Sequence, residues 1–84
     1  MVLPRIFADF HNADSQGRLR LNCIGAIRDL ASQDVQLQRG ARLRLCSEEL
    51  EVEGVVEYSA EESLWVAVID WEAIRTGSMD NRAD

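Results

Sequence analysis

At 84 residues and 9.5 kDa the chain is long enough for one domain, because each separate core needs roughly 50 residues or more; a multidomain enzyme is excluded. Hydrophobic residues make up 46% of it and charged residues 29%, with one proline and no repeat, which fits a globular body rather than a disordered, collagenous or coiled-coil one. All nine basic residues are arginine, so no amine side chain is available for chemistry, and so small a body has little interior for a closed substrate pocket.

The net charge of −6 conceals a division. Residues 1–44 hold seven arginines against Asp9, Asp14, Asp29 and Asp34, whereas residues 45–84 hold two arginines against eleven acids. Such a chain either presents one basic and one acidic face or interleaves its halves so that they neutralise each other, the simpler outcome.

Ile6, Ala8 and Phe10 alternate with Phe7 and Asp9, and Leu19, Leu21 and Cys23 alternate with Arg18, Arg20 and Asn22. A period of two predicts strands. The connection from His11 to Gly17 is rich in residues that bond their own backbone or accept positive φ, so the two segments read as one hairpin. Gly25 ends the second strand. Ile27, Leu30 and Ala31, at i, i+3 and i+4, then predict a short helix or 3₁₀ turn over Ala26 to Gln33.

Val35 and Leu37 resume the alternation, Arg39-Gly40-Ala41 reads as a tight loop, and Leu43 and Leu45 point inward from the next strand. This counting sets Leu37 opposite Leu43 and Val35 opposite Leu45. The turn Ser47 to Leu50 then sets Leu45 opposite Val52 on the inner face and Arg44 opposite Glu53 on the outer. Gly54 falls opposite Leu43, where a glycine suggests a bulge or a tight bend. Leu64 to Ile69 is apolar on both faces and predicts a central or covered strand. With the turn around Ser59 to Ser63 open to four or five residues, the row facing away is either Leu64, Val66 and Val68 or Trp65, Ala67 and Ile69. Beyond Arg75 periodicity ceases, which predicts a single domain over residues 1–75 and a flexible C-terminal tail over 76–84.

Together the segments predict a mainly β protein, a small five- or six-stranded antiparallel β-barrel with one short helical insert. The hydrophobic spacing from Leu37 to Ile69 resembles that of Src-homology-3-like and related small barrels. Over most of the chain up to Ile74, the stretches Ile6-Phe7-Ala8-Asp9-Phe10, Gly17-Arg18-Leu19-Arg20-Leu21-Asn22, Leu50-Glu51-Val52-Glu53-Gly54-Val55-Val56 and Trp65-Val66-Ala67-Val68-Ile69-Asp70-Trp71 look like short, uncharacterised bacterial proteins. That resemblance implies a small barrel in a bacterial cytoplasm and no particular activity. The late strands are also similar to those of the PilZ barrel, which binds a cyclic dinucleotide. The paired arginines and Asp-x-Ser-x-x-Gly turn of that family have no counterpart, Asn22-Cys23-Ile24-Gly25 does not match, and the ligand is not carried over.

The start, Met1-Val2-Leu3-Pro4-Arg5, lacks the basic lead and apolar stretch of a signal peptide. The longest apolar run, Leu64 to Ile69, is six residues, against about 20 for a spanning helix. Cys23 and Cys46 read as inward-facing small hydrophobes, so a reduced, cytoplasmic setting is expected.

Chemically able groups are dense only at Asp9, His11, Asn12 and Asp14. His11 beside a carboxylate has the elements of a general base, but a solvated loop accounts for the same residues. Asn12-x-Asp14-x-Gln16-Gly17 looks like the opening of a calcium loop, yet Cys23 stands where a bidentate glutamate is required. Cys23, Cys46 and His11 share no zinc spacing. Neither a nucleophile motif nor a lysine-bearing phosphate loop is present. No catalytic residue, cofactor or metal is therefore assigned, and a non-enzyme is expected.

Two binding readings remain. An interaction module for a partner protein or for self-association would use Val55, Trp65, Trp71, Glu51 and Glu53, since surface aromatics anchor interfaces; whether Trp65 is core or surface is open. A single-stranded nucleic-acid binder would use Arg18, Arg20, Arg42 and Arg44 as one outward patch, against the repulsion between a −6 chain and a polyanion.

Overall fold

The computed structural model describes residues 3–76; apart from Thr76, the tail expected over 76–84 lies outside them. In chain order the elements are β1 (Arg5–Phe7), β2 (Leu19–Arg20), α1 (Ile24–Ser32), β3 (Arg42–Cys46), β4 (Glu51–Ser59), β5 (Leu64–Ile69) and a 3₁₀ turn over Trp71–Ala73. The strands form one sheet in the order β1-β3-β4-β5-β2.

Its centre is a meander built where alternation is cleanest and turns are shortest. Leu43 pairs with Gly54, Arg44 with Glu53 and Leu45 with Val52, as the spacing predicts. Gly54 sits in regular register without a bulge. A Cβ there would come 2.8 Å from Leu45 Cδ1 and 3.1 Å from Ile69 Cγ2, so neighbouring side chains occupy the space that a larger residue would need. Ser59 pairs with Leu64 across a four-residue turn, in which the Ser59 hydroxyl accepts the Glu62 N–H. This register turns Trp65, Ala67 and Ile69 inward and Leu64, Val66 and Val68 outward. Trp65 is half-buried against the core and meets the Tyr58 ring edge-on at 5.1 Å.

The ends of the sheet depart from expectation. Residues 6–10 and 18–23 do not pair as a hairpin. β1 instead lies parallel to β3, with Ile6 opposite Leu45, and β2 lies antiparallel to β5, with Leu19 opposite Ala67. The two occupy opposite edges. Alternation reports which face a residue takes and carries no information about its partner strand. The deciding feature is the loop between them: Ala13 bridges Leu19 and the Asn12 carbonyl accepts the Arg20 N–H, so β2 finds its local partner inside the loop. Val35 and Leu37 also lie outside any strand, half-buried against the core. The result is a five-stranded mixed sheet curled into a half-barrel, rather than a closed antiparallel barrel. Ile6, Leu19, Leu43, Leu45 and Val56 fill its inner face.

Three residues separate β2 from α1, which runs back along β1. Gly25 makes the close approach possible, since a Cβ there would stand 2.5 Å from the Phe7 ring. Asp29 accepts the free Phe7 N–H at 2.8 Å, and Gln33, one turn on, donates to the Arg5 carbonyl at 2.7 Å. Helix side chains thus satisfy a sheet edge that would otherwise invite another strand. Ala26 is buried and Leu30 packs against the core. Ile27 and Ala31, expected on the same face as Leu30, lie on the exposed side, because the helix docks through its smallest residues, Gly25 and Ala26.

Both cysteines are free and half-buried. Cys46 falls in the outer row with Arg42 and Arg44, contrary to the expected inward placement, because Leu43 and Leu45 hold the inward positions. Burial pushes its thiol above the ordinary value, away from thiolate reactivity. Among the described residues no helix is long and apolar enough to cross a membrane.

Candidate interaction surface

On the outer face of the sheet, arginine and glutamate alternate across strands. Arg42 Nε lies 2.6 Å from a Glu53 oxygen. Arg44 reaches Glu51 at 3.2 Å, and Arg5 approaches the other Glu51 oxygen at 3.6 Å. Arg44 therefore pairs diagonally and not with Glu53 opposite it, as the twist of a sheet allows. Val55 and Val68 are register partners in the same face, 37% and 43% exposed. Val66, in the outer row between Glu57 and Arg20, is fully buried.

The other two arginines of the nucleic-acid reading lie across the sheet on and beside β2. Arg18 Nε is 2.8 Å from Asp14. Arg20 forks onto both Glu62 oxygens at 2.8 Å and also donates to Asn12 and to the Ala13 carbonyl. The Glu62 hydrogen bond holds the Arg20 guanidinium above its ordinary pKa, and that bond in turn holds the Glu62 carboxyl below its own. β4 and β5 separate β2 from β3, so Arg18 and Arg20 do not join Arg42 and Arg44 in one patch. Each of the four is already answered by a carboxylate.

The acid-rich loop is structural. Asp14, 8% exposed, accepts the N–H groups of Gln16 and Arg18 at 2.9 Å as well as the Arg18 guanidinium. Burial pushes its carboxyl up, but the Arg18 and Gln16 backbone bonds and the Arg18 side chain outweigh it and leave the pKa below the ordinary value. Its oxygens are spent on this turn. His11 stands fully in solvent, 3.7 Å from Asp9. Among the described residues no three potential ligands cluster for a metal. Trp71 is 44% exposed, with its indole N–H fixed on the Gly17 carbonyl at 2.8 Å.

The most exposed large apolar groups lie elsewhere, on the outward side of α1: Ile24 at 73% and Ile27 at 55%, with exposed Ala31 one turn further. Arg28, beside them, makes no ion pair among the described residues. Phe7, which Gly25 abuts, also lines an open groove of about 270 Å³ shared with Phe10, Leu50, Asp9, Glu48 and Glu49. Phe7 thus joins the groove to the first turn of α1, which carries Ile24. Sequence reading missed the stripe because it started the helix at Ala26; begun at Ile24, the i, i+3, i+7 spacing of Ile24, Ile27 and Ala31 stands out.

Comparison with protein families, characterised proteins and solved structures finds no match to this chain.

Proposed function

We propose that the protein is a non-catalytic, cytoplasmic interaction module that binds another protein chain through the outward face of α1. The observation that carries this reading is the exposure of Ile24 and Ile27 at 73% and 55%: two isoleucines one turn apart, on a helix whose inner side is already satisfied, gain free energy when a partner removes them from water. Val55 and Val68 form a separate, smaller apolar patch on the outer face of the sheet, and Trp71 on the 3₁₀ turn is an exposed aromatic whose polar end is already satisfied. Glu51 and Glu53 are committed to arginines and act as spacers in this reading. Solvent exposure of His11 and the commitment of Asp14 to Arg18 support binding over catalysis.

The test is a photo-cross-linking residue placed at Ile27, with Glu61 on the β4–β5 turn as the control position, irradiated in the source cell. Protein adducts formed at Ile27 and not at Glu61 support the reading. An equal yield at both positions, or none at Ile27, overturns it.

A further inference from the structure

We infer that the partner is a second copy of this chain, joined across a two-fold axis so that the α1 stripe of each molecule enters the groove of the other. This rests on the interaction-module reading and goes beyond it by naming the occupant. The chain carries both halves of such a contact side by side. α1 runs antiparallel to β1, since Gly25 meets Phe7 and Gln33 reaches back to Arg5, and this sets its N-terminal turn, with Ile24, at the end of β1 where the groove opens. A projection next to a recess on one surface is self-complementary under two-fold rotation and closes at two copies.

Charge points the same way. Two molecules of charge −6 repel each other across most approaches. The groove is lined by Phe7, Phe10 and Leu50 and by the acids Asp9 and Glu49, and the stripe brings Arg28, a cation with no ion pair among the described residues. Apolar surface thus meets apolar surface while a cation meets acids, twice per dimer. Size sets the strength. α1 is about 14 Å long and about 10 Å wide, so its face alone falls well short of the about 800 Å² per partner of a standard interface. Stripe and groove together form a small contact, which predicts weak, reversible association.

Sedimentation equilibrium of the whole chain, from micromolar to near-millimolar concentration, provides the test. The expected result is a mass rising toward twice that of the monomer. Ile27→Asp should weaken association by about tenfold or more, with circular dichroism unchanged because the site is exposed. Arg28→Glu should weaken it as well, and Arg28→Glu combined with Glu49→Arg, which leaves the net charge as it was, should restore it. A monomer at every concentration, a dimer indifferent to Ile27→Asp, or a failed charge swap overturns the inference. A monomeric chain that still gives Ile27-specific adducts with a different protein removes the dimer and keeps the broader reading; absence of those adducts removes both.

Discussion

The two edges of the half-barrel face the same hazard and meet it differently. Beside β2 the chain folds a short loop against its own strand and locks it with charge: a buried Asp14 takes three donors, and Arg20 spreads over Glu62, Asn12 and Ala13. Beside β1 a helix covers the edge with one carboxylate, one amide and a glycine against a phenylalanine. The first edge is sealed by polar bonds and presents satisfied groups. The second is sealed by a helix nine residues long, which has two sides and turns apolar residues outward. How an edge is capped therefore decides where this molecule can attract a partner.

The sharpest way to break this contrast is at Asp14. Asp14→Asn removes a buried charge beside Arg18 and should cost about 2 kcal/mol in denaturant unfolding at neutral pH. The folded-state pKa is depressed, so the contribution is fully present above the ordinary value of 3.8 and is lost as the pH falls through the folded-state value. The gap between variant and parent should close only in that acid range. On the other edge, Gly25→Ala tests the helix contact. Alanine favours a helix by about 1 kcal/mol, but displacing the Phe7 ring costs about 1 to 3 kcal/mol, so a net loss of about 1 kcal/mol is expected. A gain in stability would show that α1 stands off from β1. Asp29→Ala should cost about 1 kcal/mol and speed hydrogen exchange at the Phe7 amide, leaving the amide of Arg20 unchanged. Arg42→Gln, away from both edges, is the control; an exposed pair of this kind is worth under about 1 kcal/mol, and the difference should fade in high salt.

The β3–β4 half of the meander was legible in the sequence because its turn is short: from Leu43 to Gly54 each residue's partner follows from counting, whereas the β5 register stayed open between a four- and a five-residue turn. β1 and β2 were legible as strands but not as neighbours, since alternation records faces and their partners lie far along the chain. The opposed charges of the two halves were legible in outline and resolve into pairs such as Arg42–Glu53 and Arg20–Glu62. The α1 surface was not legible, because the spacing of Ile27, Leu30 and Ala31 fits one buried face, whereas docking through Gly25 and Ala26 turns Ile27 and Ala31 outward. The oxygens of Asp14 were visible in the sequence and were weighed against a calcium loop, whereas the backbone donors that consume them were not visible.

The pairing of Arg5 with Arg44 and of Leu19 with Ala67 has a kinetic consequence. Closing such long loops costs chain entropy before any contact repays it, so β3, β4 and β5 should assemble first from nearby residues, and the N-terminal strands should dock onto them late. During that interval the flanks of β3 and β5 stand open, and the rate at which β1 and β2 arrive, more than final stability, governs how long a nascent molecule is exposed to strand exchange with its neighbours.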